Sequence, residues 1–403
     1  MTDNKEILYK IFESDGTFVT TWIDVISDLS FIETINGGLS ELKVELGRKE
    51  SEYGEGDDVK FGNLIEVWVF DKDDSVGVQV YGGILTSYIP KVDGSKETVE
   101  VVFLSYHWEL NQYILEVAGD TEVDYLTQDP TVIFRDLLDK FTAAGGTADH
   151  KTGTTTLTAT SVSYTFNTIT YQGALKKVLE LCPENWYYRV GADGTVYMDE
   201  KSATAEHTFT IGKEISFYVP EKRTDAIVNT IYFRGGDTGG GVMLYKKFTN
   251  SGSITNFGIR AISVIDSRVT VEATANTICN RILDEKNASE IRVQVKILDD
   301  NGEVGEMGYD IETIHVGQTC EIKNATDKGY NLWDVMLWDE DAWDYEITNA
   351  SSIILQIMRI EYNPNYVILE LSNRQPDIAK RIEDINRNLD NEQTKDNPTT
   401  PTT

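Results

Sequence analysis

SITNFGIRAISVIDSRVTVEATANTICNRILDEKNASEIRVQVKI, residues 253–297, decides how this chain is read. Val271, Ala275, Ile278, Cys279, Ile282 and Leu283 recur at helical spacing and form one apolar stripe. Thr277, Asn280, Arg281, Asp284 and Glu285 fall on the other side, which predicts a polar face. Glu272 stands in the first turn and Lys286 near the last, each where the helix dipole favours its charge. Ile291, Val293, Val295 and Ile297 then alternate with polar residues, the pattern of a half-buried strand. The expectation is a lone helix, about 270–285, packed on a β-barrel. With no visible catalytic apparatus nearby, that points to a building block rather than an enzyme.

Working outward, both flanks read as β-structure. In residues 1–108, Leu42, Val44 and Leu46 alternate, as do Ile65, Val67 and Val69, and Asp15 with Gly16 marks a hairpin turn. The texture changes over 109–220. Asp129 and Pro130 open a helix as N-cap and first helical residue, with Ile133, Phe134, Leu137, Leu138 and Phe141 as its stripe. A second helix covers about 171–181 and stops before Pro183. Asp193 and Gly194 mark another hairpin. Residues 221–375 return to β-texture around the opening helix. In 376–403, Ile378, Ile382, Ile385 and Leu389 are spaced four, three and four apart. They read either as a short trimeric or tetrameric coiled-coil seam or as one amphipathic packing helix before a low-complexity tail. The fold class expected is mainly β (α+β), with two barrel domains, a mixed α/β middle domain and a short C-terminal helix.

Of 403 residues, 67 are acidic and 36 basic, a net charge of −31. Such a surface repels nucleic acid, whose binding needs clustered Lys and Arg. It reads as simple solubility or as a wall that nucleic acid passes without sticking. Cys182, Cys279 and Cys320 form no CxxC pair and are expected as buried small hydrophobes. No secretory signal pattern opens the chain and no apolar run is long enough to span a membrane. Synthesis in the cytoplasm is therefore expected.

No catalytic residue, cofactor site or metal site is expected. His107, His150, His207 and His315 are scattered, and HExxH and GxSxG are absent. His315 and Cys320 sit five apart without a second ligand pair, a weak metal pattern. Residues 235–241, GGDTGGG, lack the GK[ST] of a phosphate cradle and read as a hairpin tip. Asp299, Asp300 and Glu303 faintly suggest calcium, but Asn301 and Gly302 between strands fit a plain turn better. Trp333, Trp338 and Trp343 recur every five residues, each followed by Asp. They read as rings anchoring a loop, or as a contact surface for a protein or glycan.

Several segments in order resemble the tail hub (baseplate hub, tail-associated) proteins of long-tailed bacteriophages. GGLSELKVELGRKESEYGEGDDVKFGNLIEVWVFD and VYGGILTSY resemble the first tube-like domain of that family. GALKKVLELCPENWYYRVGADGTVYM resembles its middle domain. NTIYFRGG, the opening segment and ILQIMRIEYNPNYVILELSN resemble its second tube-like domain. The resemblance covers about residues 5–390. It implies a homotrimeric structural virion protein at the tail tip, closing the distal end of the tail tube. Three chains with two tube-like domains each would adapt a six-fold tube to three-fold parts and form part of the DNA ejection channel. Its partners would be the distal tail or tail tube ring, the tape measure protein and the tail fibre or receptor-binding proteins, with DNA passing unbound. Lytic or receptor-binding activity would belong to separate proteins. The alternative is a host-receptor or glycan-binding tail-tip adhesin using Trp333, Trp338 and Trp343. In the hub reading, the polar face of the opening helix either covers the outside of the barrel or meets the neighbouring subunit.

Overall fold

A computed structural model describes residues 5–47, 58–71, 76–93, 96–117, 119–150, 156–299, 309–325 and 351–375. The first stretch holds β1 (Lys5–Phe12), β2 (Phe18–Trp22), β3 (Phe31–Thr34), β4 (Leu42–Leu46), β5 (Leu64–Asp71), β6 (Val78–Asp93), β7 (Lys96–Ser105) and the single turn α1 (Tyr106–Glu109). The middle stretch alternates β8 (Glu122–Gln128), α2 (Pro130–Ala143), β9 (Asp149–His150), β10 (Val162–Asn167), α3 (Tyr171–Glu180), β11 (Trp186–Val190) and β12 (Thr195–Glu200). Then follow β13 (His207–Thr210), β14 (Ile215–Arg223), β15 (Thr230–Asp237), β16 (Met243–Thr249), α4 (Ser251–Phe257), β17 (Ala261–Asp266) and α5 (Glu272–Lys286). β18 (Glu290–Leu298), β19 (Thr319–Ala325), β20 (Ser351–Asn363) and β21 (Tyr366–Ser372) complete the described chain.

Two large sheets dominate, as the mainly β expectation requires, and they curl as half-barrels. The first has strand order β2-β1-β5-β6-β7-β4, antiparallel throughout. The second runs β13-β19-β20-β21-β18-β14, with β3 as a further strand on β20. Period-two alternation explains both: Leu42, Val44 and Leu46, or Val293, Val295 and Ile297, turn inward together because successive strand side chains point to opposite faces. Their inner faces merge in one apolar core that joins Ile11, Val67, Val101 and Phe103 to Val295, Ile357, Val367 and Leu369.

A second core belongs to a smaller α/β body. α2 starts where expected: the Asp129 carboxylate accepts from the Thr131 N–H at 2.9 Å, and Pro130 occupies the first turn. Ile133, Phe134, Leu137, Leu138 and Phe141 are all buried. α3 likewise has Thr170 as N-cap, accepting from Gly173 at 3.1 Å. The expected hairpins form at Asp15-Gly16 between β1 and β2 and at Asp193-Gly194 between β11 and β12.

Sheets and cores do not follow the linear division at 108 and 220. β3 leaves the first stretch to pair with β20, and β13 and β14 belong to the second large sheet. α5 corrects the opening expectation. It does not pack on the half-barrel. Ala275, Ile278, Cys279, Ile282 and Leu283 lie in the smaller core with α2, α3 and the three-stranded sheet β16-β15-β17. Its supposed polar face is also mixed, for Arg281 is only 2% exposed. The guanidinium donates to the carbonyls of Leu179 and Trp186 and, at 2.8 Å, to Glu285. Periodicity identifies a buried stripe but not the surface that buries it.

Candidate functional site where the three parts meet

The turn between β3 and β4 touches every part of the molecule. Its Ile35 N–H donates to Met358 of β20 at 3.0 Å. Asn36 pairs with Tyr188 of β11 in both directions: its N–H donates to the Tyr188 carbonyl at 2.9 Å and its side-chain oxygen accepts from the Tyr188 N–H at 3.0 Å. Asn36 has a φ of 56°, a left-handed conformation that Asn tolerates better than other side-chain-bearing residues.

Two glycines let the parts close. A Cβ on Gly82 of β6 would lie 1.9 Å from the Ala192 carbonyl oxygen at the tip of the β11–β12 hairpin. Gln79 donates to the same oxygen at 3.1 Å. Gly317, before β19, has a φ of +88°, and a Cβ there would lie 1.8 Å from the Tyr187 ring. Close approach demands glycine at both positions.

Between these contacts lies a cavity of about 280 Å³. Apolar walls come from Phe31, Ile311, Ile314 and Ile360, and polar groups from Glu33, Arg189, Glu312 and His315. Phe31 also stacks on Tyr362, with ring centroids 4.9 Å apart. Burial pushes the Glu33 carboxyl up to about 7, against the opposing pull of Arg189 and the Val316 N–H. Burial, with Arg189 and His207 nearby, holds His315 down at about 4. The Arg189 guanidinium lies 4.0 Å over the Tyr197 ring. At the far side, Lys5 bridges Asp299 at 2.7 Å and Glu312 at 2.8 Å, and the Tyr362 hydroxyl donates to Glu312 at 2.6 Å. Burial alone would lower the Lys5 pKa, but Glu312 and Asp299 outweigh it and raise it. Chemically this is a joint, in which buried charges from distant parts of the chain are matched to one another.

The residues singled out from sequence fare differently. Trp333, Trp338 and Trp343 lie outside the described residues, as do Ile378, Ile382, Ile385 and Leu389. Asp299 is held by Lys5, while Asp300 and Glu303 lie outside the described residues. Residues 235–241 form the β15–β16 hairpin tip, with Gly239, Gly240 and Gly241 at positive φ. The three cysteines are buried and free, and burial raises each thiol. Among the described residues, three potential metal ligands come together only at Asp139, Asp149 and His150, without His315 or Cys320. No described helix is long and apolar enough to cross a membrane. The joint itself was missed in the sequence. Glu33 stands two residues from both Phe31 and Ile35, so period two places its carboxyl on their inward face, where β20 and the loop carrying His315 bury it.

No protein-family model matches the sequence, and no curated protein matches it. Solved structures do. The prophage tail protein gp18 from Listeria monocytogenes EGD-e aligns over 95% of this chain and 99% of its own, with a TM-score of 0.56 and 10% identity. The 43 kDa tail protein of prophage MuSo2 from Shewanella oneidensis aligns over 91% and 98%, with a TM-score of 0.56 and 11% identity. The tail protein from Neisseria meningitidis MC58 aligns over 91% and 96%, with a TM-score of 0.57 and 11% identity. The chain shares the fold of these tail proteins through nearly its whole described length.

Proposed function

We propose that this protein is a structural subunit of a phage tail, acting as a trimeric hub at the distal end of the tail tube. The carrying observation is that one chain holds two half-barrel sheets on one continuous core. Three such chains would present six curled sheets around a common axis. That number suits a six-fold tube on one side and three-fold parts on the other. The fold shared with three prophage tail proteins supports the same reading. So does the net charge of −31, since a strongly acidic ring would let DNA pass without adhering. The role requires no catalytic residue. Its partners would be the tube ring, the tape measure protein and fibre or receptor-binding proteins, within the virion at the tail tip. The test is mass by light scattering with cryo-EM of the purified chain. A three-fold ring is expected; a chain that stays monomeric at high concentration and never enters a tail overturns the proposal.

A further inference from the structure

The three-stranded sheet β16-β15-β17 has one face on α5 and one face open. Ile231, Phe233, Phe248 and Val264 point inward and are buried in the smaller core. Tyr232, Arg234, Tyr245, Lys247 and Ile265 are exposed on the other face. The register makes a checkerboard: Tyr232 is opposite Lys247, and Arg234 is opposite Tyr245 and beside Ile265. The Lys247 ammonium lies 5.3 Å from the Tyr232 ring centre, and the Arg234 guanidinium 5.7 Å from that of Tyr245. Asp237, the exposed acid of these strands, turns its carboxylate into its own loop, accepting from Gly239 at 2.8 Å and Gly241 at 3.0 Å. A cationic, aromatic face is out of character for a chain of net charge −31. Tyr and Arg together are also the residues on which protein interfaces concentrate their binding energy.

The same body carries a complementary strip. Among the described residues β8 is an edge strand, paired only with β10, and its exposed residues include Glu122, Asp124 and Leu126. These stand two residues apart, hence on one strand face at a repeat of about 6.8 Å, matching that of Tyr232 and Arg234. Leu126 continues that face and is 74% exposed, beside Thr127, whose φ of 54° marks a bulge against β10.

We infer that the Tyr232–Arg234–Tyr245–Lys247 face of one copy docks on the Glu122–Asp124–Leu126 strip of the next. The occupant is a second copy because it brings an acidic, leucine-bearing strand of matching repeat and opposite charge. Two different patches in contact make a head-to-tail interface, which closes into a ring when the rotation permits. The inference rests on the ring proposed above and names where neighbouring copies touch in it.

Charge reversal tests it. Arg234→Glu with Lys247→Glu should raise the concentration at half-assembly about ten-fold or more, read by light scattering at low salt. Glu122→Lys with Asp124→Lys should do the same. All four changes in one chain should return it to near the wild-type value. Circular dichroism melts establish that each variant folds, and Lys247→Glu alone serves if the double variant does not. Assembly unchanged by either reversal, or a four-fold variant no better than the two-fold ones, overturns this interface while leaving the ring intact. A wild-type chain that stays monomeric overturns the ring itself. A fluorescent oligodeoxynucleotide or heparin bound by wild type and lost on Arg234→Glu and Lys247→Glu, with assembly unchanged, assigns the face to another occupant and overturns the inference.

Discussion

Asn36 and Tyr188 hold each other through two hydrogen bonds of opposite sense, one from each backbone N–H. One residue lies in the turn after β3 and the other in β11. The pair therefore fastens the two large sheets to the smaller body at the point where all three meet. Asn36 supplies two things at once, a side-chain acceptor and tolerance of positive φ. Asn36→Ala loses both, and with them the amide's 3.3 Å bond to Gln375, and should cost about 2–3 kcal/mol, the sum of the two hydrogen bonds and one left-handed residue. Asn36→Gly keeps the backbone freedom and should cost about half as much. Denaturant unfolding of the two variants against wild type checks the difference; equal losses would mean that the backbone conformation contributes nothing.

Gly82 sets the distance between β6 and the β11–β12 hairpin. Because its neighbour is a backbone carbonyl rather than a flexible side-chain end, Gly82→Ala must displace one strand or the other. Overpacking of this kind costs about 1–3 kcal/mol. The melting temperature should fall, and limited proteolysis should open the hairpin at Ala192 first. Gly317→Ala should behave similarly at Tyr187, with added strain from its φ of +88°.

Glu33 makes stability depend on pH. Burial lifts its pKa to about 7 from the ordinary 4.5 of a free glutamate, so the folded state favours the neutral carboxyl. That contribution is complete below pH 4.5, is lost as pH rises toward 7, and stays lost above it. The loss is about 3 kcal/mol in all. His107 at about 3 and His315 at about 4 act in the opposite sense. Their contributions are complete above pH 6.5 and are lost as pH falls through the folded values. Arg189, Glu312 and His315 share the cavity with Glu33, so the clean measurement is a difference. Glu33→Gln should match wild type near pH 4 and exceed it in stability at pH 8. Parallel unfolding curves for the two proteins across this range would refute the assignment.

Arg281 satisfies the carbonyls at the end of α3 and the start of β11 from within α5. Arg281→Met fills similar space but removes the guanidinium from the Trp186 carbonyl and from Glu285, while the Leu179 carbonyl is left with the Cys182 N–H. A loss of about 3–5 kcal/mol is expected, as for breaking one side of a buried ion pair. Adding Glu285→Leu should recover part of it, which a double-mutant cycle would measure.

Local features of this chain were legible because their causes are local. Asp129 with Pro130 starts a helix by supplying an acceptor and a preset φ. Asp15-Gly16 and Asp193-Gly194 reverse the chain because glycine adopts positive φ freely. Ala275, Ile278, Ile282 and Leu283 announced a buried stripe, and they are buried. What stayed hidden depends on partners far along the chain. Nothing within Phe31–Thr34 announces that it pairs with β20 as well as with its neighbour Leu39. Arg281 looks like any surface arginine until Leu179 and Trp186 arrive beside it. Glu33 shares the inward face of Phe31 and Ile35, but what its carboxyl meets there is set only when the loop with His315 closes over it.

The pairing of β3 with β20 also dictates timing. Phe31 meets Tyr362, and Asn36 meets Gln375 across 339 positions of sequence. While the chain emerges from the ribosome, β3 has only its local bridge to Leu39, and its other edge waits until nearly all of the intervening sequence has been made. Sheets closed by such distant segments form slowly and expose unpaired strand edges while they wait. The joint is therefore one of the last things to form. A newly made copy would have its docking surfaces in the smaller body before its two large sheets are locked together. Assembly could then be coupled to completion of the fold, with half-finished chains the ones most in need of a chaperone.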